Sequence, residues 1–175
     1  NWYIHGLGVR KNYQRATSFL KRAVRGGNAE ACFDLGICYD RGRGIHKDRK
    51  RAFSLFLLGA KRGDGDASVA VAGCYFHGIG TPKNWKKAIQ WYRIAARGGD
   101  AEALYSLGLL YQHGHGVKRN KKIAMRWFDR AAAAGHEYAS VNLAELQEKK
   151  VQRNRKERKR WRGKGGRNEW HLNSC

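Results

Sequence analysis

The stretch "YQHGHGVKRN", residues 111–120, decides the fold because it recurs. "YFHGIGTPKN" stands at 75–84, "YDRGRGIHKD" at 39–48 and "YIHGLGVRKN" at 3–12. The first glycines of the four G-x-G elements are Gly6, Gly42, Gly78 and Gly114, spaced 36 residues apart. Tyr3, Tyr39, Tyr75 and Tyr111 keep the same register, as do Ala16, Ala52, Ala88 and Ala124. So do Gly27, Gly63, Gly99 and Gly135, and Ala31, Ala67, Ala103 and Ala139. A fixed period of about 20 to 50 residues marks a solenoid or an array. Several independent columns in one ungapped register make this signal strong.

Two helical patterns lie between the loops. From Asp48 to Gly63 the apolar positions are Ala52, Phe53, Leu55, Phe56, Gly59 and Ala60, which is i, i+3, i+4, i+7, i+8 spacing. The position before it reads Asn12, Asp48, Asn84 and Asn120, all side chains that cap free backbone N–H groups. The other pattern starts after the glycine, with Asn28, Asp64, Asp100 and His136 in the cap position. Its buried stripe reads Ala31, Leu35, Cys38, Tyr39 in one repeat and Ala103, Leu107, Leu110, Tyr111 in another, and it stops at the G-x-G. We call this pattern the A helix and the one from the Asp48 position the B helix. The column Ala23, Gly59, Ala95, Ala131 lets neighbouring helices approach, and Phe19, Leu55, Trp91 and Trp127 fill the space between them. A glycine loop that cradles phosphate follows a strand. These loops follow helices, so Gly6, Gly8 and their equivalents read as structural hinges that end a helix.

The pattern A-E-A…L-G…Y…G-x-G-V…K-N/D…A…W/F-Y/F…A-A…G resembles the Sel-1-like repeat (SLR), a relative of the tetratricopeptide repeat. "DAEALYSLGLLYQHGHGVKRNKKIAMRWFDRAAAAG" (100–135) carries nearly every consensus position. The resemblance covers roughly residues 1–148 and implies an all-α, right-handed superhelix of stacked helix pairs. It also implies adaptor work, with proteins bound on the concave face, and it transfers no catalytic residues. The chain opens in the last turn of a helix, at "NWYIHG", without an initiator Met. A solenoid needs terminal caps, so the sequence reads as a piece of a longer protein.

Composition divides the chain into an array at 1–148 and a basic arm at 149–175. The whole carries 36 Lys and Arg against 14 acids, a formal net charge of +22. Residues 149–167 hold 11 Lys and Arg and a single acid, Glu157. No run approaches the ~18 apolar residues that span a membrane. Within the array the charge falls in columns: Lys11, Lys47, Lys83, Arg119; Gln14, Lys50, Lys86, Lys122; and Arg25, Lys61, Arg97. Stacked pairs place successive members roughly 10 Å apart. They form a positive stripe at the first turns of the B helices, either a solvated face or a contact for phosphate or an acidic partner.

The arm contains Lys149, Lys150, Arg153, Arg155, Lys156, Arg158, Lys159, Arg160, Trp161 and Arg162. A block of like charge is usually disordered. Yet 136–162 holds no Gly or Pro, so the last helix can run on to Gly163. Trp161 among arginines suits stacking on a base or cation–π packing. RNA or DNA, an acidic protein, and a purely solubilising role are the readings open for the arm. Together with Lys47, Lys50, Lys83, Lys86, Arg119 and Lys122 it forms the polyanion-binding set.

Cysteines and histidines suggest packing. Cys38 and Cys74 share a buried column, too far apart to bridge, and Cys32 lies on another side of the same helix as Cys38. The per-repeat disulfide of some secreted SLR proteins is missing, which favours a reducing compartment, cytosol or organelle matrix. His5, His77 and His113 share a column just before a helix-ending glycine, where they suit the helix dipole. Side chains one repeat apart do not converge on a metal. No paired carboxylates, nucleophile elbow or Cys/His pair is visible, and the chain reads as a non-enzyme with neither metal nor cofactor nor small-molecule substrate.

Protein partners are expected on the A-helix face, at Phe33, Ile37, Arg41, His77, Tyr105, Leu109 and His113. Exposed, the aromatic and aliphatic members make an apolar patch with a charged rim; alternatively, repeat stacking covers them. Glu30, Asp66 and Glu102 are first-turn acids that suit the dipole. The sequence thus supports a protein adaptor in a larger assembly, or an RNA-binding component of a ribonucleoprotein.

Overall fold

The computed structural model describes residues 12–163, which form eight helices and no strand. They are α1 (Tyr13–Arg25), α2 (Ala29–Arg41), α3 (Arg49–Lys61), α4 (Gly65–His77), α5 (Trp85–Arg97), α6 (Ala101–His113), α7 (Lys121–Ala133) and α8 (Ala139–Gly163). Odd-numbered helices are B helices and even-numbered ones A helices. Each packs on its neighbours in sequence, and α2 also touches α4, so the chain stacks as an α-solenoid.

The ten-residue loop works as one closed unit. Each A helix ends at a left-handed glycine: Gly42, Gly78 and Gly114 have φ of 70, 77 and 81°. The chain then returns to the helix it has just left. The N–H of Asp48 donates to Tyr39 O at 2.9 Å, that of Asn84 to Tyr75 O at 2.7 Å, and that of Asn120 to Tyr111 O at 2.8 Å. The same Asp48, Asn84 and Asn120 side chains accept from Arg51, Lys87 and Ile123 N–H at 3.0, 3.0 and 3.1 Å, starting the B helix. The tyrosine and the cap residue are therefore the two tied ends of the loop, which explains why they travel together. Each such cap contributes about 1 kcal/mol.

Asn28, Asp64 and Asp100 cap the A helices in the same way, at 2.7, 2.6 and 2.7 Å. His136 does not follow them. It lacks a side-chain oxygen, and α8 begins only at Ala139. Its imidazole stacks on Tyr105 with ring centroids 4.0 Å apart, and its Nδ1 accepts from Tyr138 N–H at 3.3 Å. What reads as a cap by register is an inter-repeat contact.

The core between A and B helices is built on the L-G pair. The Phe56 ring lies against Gly36 and the Phe128 ring against Gly108; a Cβ there would stand 2.5 and 2.4 Å from ring carbon. Phe128 is fully buried. In the middle repeat Ala72 and Tyr92 take these two places. Of the column expected to fill the space between helices, Leu55, Trp91 and Trp127 are half-buried and flank the core, whereas Phe19 is 51% exposed.

The last helix is different. Seven helices have 13 residues, while α8 has 25 and crosses residue 148 without a break. Ser140, Val141, Ala144 and Gln147 stand where α6 has Leu104, Tyr105, Gly108 and Tyr111. Leu146 is still buried, and from Gln147 to Trp161 every side chain is exposed. Among the described residues no helix is long and apolar enough to cross a membrane.

Candidate functional site

The partner face expected from the sequence is only half available. Phe33 and Ile37 are half-buried against the core, and the Phe33 ring lies 5.7 Å from that of Phe56. Tyr105 is half-buried between Phe128 and His136, and its hydroxyl accepts from Asn142 Nδ2 at 2.8 Å. Leu109 is likewise half-buried, against the core of the last repeat. The expected exposed apolar patch is thus mostly covered, because the partner B helix and the next A helix close over it. Arg41, His77 and His113 remain exposed at the helix ends, and Glu30, Asp66 and Glu102 at the starts.

Asp66 feels other acids, one in its own repeat and two in the neighbouring repeats. The Asp66 carboxyl is held above its ordinary value by partial burial and then by the charges of Asp64, Asp100 and Asp34. The cap residues Asp64 and Asp100 thus add negative charge beside the first-turn Asp66. The opposite edge is basic. Lys47, Lys50, Lys83, Lys86, Arg119 and Lys122 are all exposed. Lys83 lies over the Trp85 ring at 4.5 Å, and Arg119 Nε donates to Gln112 O at 3.0 Å. Lys47, Lys50, Lys86 and Lys122 form no ion pair among the described residues. Lys11 and His5 lie outside those residues.

The arm is helical and little neutralised. Lys149 meets Glu145 at 3.3 Å and Arg153 meets Glu157 at 3.6 Å, both exposed pairs of small energetic weight. Lys150, Arg155, Lys156, Arg158, Lys159 and Arg160 have no ion pair among the described residues. Trp161 is 67% exposed. The Arg162 side chain and residues 164–175 lie outside the description.

Folding joins two groups that the sequence keeps apart. Arg119, Lys121 and Lys122 from the start of α7 face Lys149, Lys150 and Arg153 from α8 across a cleft of about 340 Å3. Met125 and the buried Leu146 form its apolar floor. Lys121 carries no signal in the repeat alignment, where its column holds Tyr13, Arg49 and Trp85. Only the α7–α8 packing reveals it.

Cys32, Cys38 and Cys74 are buried free thiols, and Cys175 lies outside the described residues. Burial, reinforced by Asp40, pushes the Cys74 thiol up to about 11; burial and then Asp34 raise Cys38. Both stay protonated and unreactive near neutral pH. Among the described residues no three His, Cys, Asp or Glu side chains gather as a metal site. His115 instead packs on Trp85, with ring centroids 4.7 Å apart.

The geometry defines a class: an α-solenoid of 36-residue helix-turn-helix repeats with an elongated basic final helix. The sequence profile described as "Sel1 repeat" matches residues 1–28, 29–64, 65–100 and 101–136. The chain belongs to the Sel1-repeat family. A Sel1 repeat protein from Oxalobacter formigenes is 33% identical with a TM-score of 0.80, the match covering 82% of this chain and 59% of that one. The protective antigen c5321 of uropathogenic Escherichia coli, which displays an SLR fold, is 31% identical with a TM-score of 0.80, over 83% of this chain and 31% of that one. The chain thus spans about three-fifths and one-third of these two relatives. Helicobacter pylori cysteine rich protein B shares the fold at 24% identity and a TM-score of 0.57, over 71% of this chain and 94% of that one. Comparison with curated proteins finds no match.

Proposed function

We propose that this chain is a non-enzymatic adaptor that holds protein partners within a larger assembly. One observation carries the reading. The A-helix side presents a surface that repeats every 36 residues, with exposed Arg41, His77 and His113 at one end and Glu30, Asp66 and Glu102 at the other. Half-buried Ile37 and Leu109 lie between them. Such a periodic surface suits an extended protein segment that binds over several repeats. Sel1-repeat solenoids are in general protein-interaction scaffolds, which supports the same reading. A photo-crosslinking amino acid placed at His77 or His113 should give a discrete protein adduct in cells. The same probe at Ile94, an exposed residue of α5, should not. Equal labelling from both positions would remove the assignment of the partner face.

A second reading is RNA binding within a ribonucleoprotein. It is favoured by the unpaired cations of α8 and the exposed Trp161 beside them. Binding of a labelled single-stranded RNA should weaken steeply from about 50 to 200 mM salt if phosphate contacts drive it. A flat salt response or absent binding would remove this reading. The unpaired buried thiols support residence in a reducing compartment, cytosol or organelle matrix.

A further inference from the structure

In three places a G-x-G loop leaves an A helix and lies back on the first turn of the preceding B helix. Gly44 meets Tyr13, Gly80 meets Arg49 and Phe53, and Gly116 meets Trp85 and Ile89. A Cβ at Gly80 would stand 2.1 Å from Arg49 O, and one at Gly116 would stand 2.7 Å from the Trp85 Cβ. Only glycine permits the loop to sit so close. In the last repeat the chain does not turn. Lys150 and Gln152 occupy the positions of Gly114 and Gly116, and α8 continues as a helix. The seat on α7, with Lys121 and Met125 in the Trp85 and Ile89 positions, is left without its loop. The cleft between α7 and α8 is that seat.

We propose that this cleft binds a segment of single-stranded nucleic acid, with phosphates on the rim and a base or sugar on the Met125–Leu146 floor. Six cations surround the cleft, and the close ion pair that any of the six makes with another side chain of the cleft region is the exposed Lys149–Glu145 contact, while Arg153 turns to Glu157. Bringing them together costs repulsion that a polyanion relieves. A neighbouring hollow shares Lys122, Met125 and Lys150 and adds Arg126 and Asp129, so the site is open to a strand rather than closed around one anion. The charge continues from the cleft along the exposed helix to Trp161. Residues 151–161 span about 16 Å at helical rise. A strand leaving the cleft meets cations along this length and an aromatic ring able to stack a base. The site rests on the RNA reading above for its ligand class, and adds the place and the mode of grip.

The test uses the full chain and a labelled twelve-nucleotide single-stranded RNA, read by fluorescence anisotropy. The pair Lys122→Glu and Lys150→Glu alters the cleft. The pair Arg15→Glu and Lys21→Glu, on the exposed surface of α1, makes the same charge change elsewhere on the array, and thermal melting checks that both variants fold. Cleft reversal should weaken binding at least about 10-fold and lower the log–log salt slope by about 1.4, from roughly 0.7 per lost single-strand phosphate contact. The control pair should change affinity less than about 3-fold, the residue of long-range charge. Equal losses from both pairs would mean diffuse attraction and overturn the site. Unchanged binding in the cleft variant, with loss on neutralising Arg155, Lys156, Arg158, Lys159 and Arg160, would overturn the cleft and keep the RNA reading. If the unaltered chain binds no RNA but binds a glutamate-rich peptide, both fall.

Discussion

The helices α6 and α8 start from equivalent positions of the repeat and end in opposite ways. After α6 the chain meets Gly114 and Gly116, turns, folds back on Trp85, and starts a B helix from Asn120. After the equivalent stretch of α8 it meets Lys150 and Gln152 and continues straight into solvent. Two glycines separate a packed turn from a projecting helix. The turn is held by burial and by a backbone bond to tyrosine. The projecting helix is held by its own backbone bonds, by the buried Ala139 and Leu146 at its root, and by the good helix propensity of Lys, Arg, Gln and Glu.

The largest losses are expected in the packed part. Phe128→Ala removes a fully buried ring seated on Gly108 and should cost about 3–5 kcal/mol of unfolding free energy in a denaturant titration. Gly80→Ala comes next. Its φ of 68° and its contact with the Arg49 carbonyl should cost at least about 1–3 kcal/mol, with the loop displaced from the first turn of α3. Asn84→Ala removes one cap bond at 3.0 Å and should cost about 1 kcal/mol, visible as a small drop in Tm. The smallest effect is expected in the arm. Asn154→Pro breaks a helix interior, so circular dichroism should lose the ellipticity of roughly one to two turns. The melting of the array should stay within about 0.5 kcal/mol, as for exposed sites without structural partners. A large shift in array stability would show that the arm packs on the repeats, contrary to its full exposure.

Much of this was legible in the residues. Among the described residues the 36-residue register placed the G-x-G loops, and the Asn/Asp columns placed the helix starts, because caps and glycine turns act locally and leave a mark at fixed positions. The register failed at His136, where the column lost its side-chain oxygen and the ring found Tyr105 instead. For the apolar members of the partner face the residues alone left exposure and covering by repeat stacking both open. Phe33, Ile37, Tyr105 and Leu109 lie off the main stripe of their own helix, and only the neighbouring helices decide that they are half-covered. Gly36 and Gly108 were visible as part of the repeat pattern, but nothing local showed that a phenyl ring lies across each.

The period, the helix pairs, the hinge loops of the described residues and the concentration of charge at 149–167 can be read from the residues alone. These depend on backbone preference, capping chemistry and composition, which are properties of short segments. Only the tertiary structure decided that the first turn of α7 and the continuation of α8 face each other, bringing Arg119, Lys121 and Lys122 to Lys149, Lys150 and Arg153. That juxtaposition follows from how two helices pack when the loop that would have covered their junction is replaced by more helix.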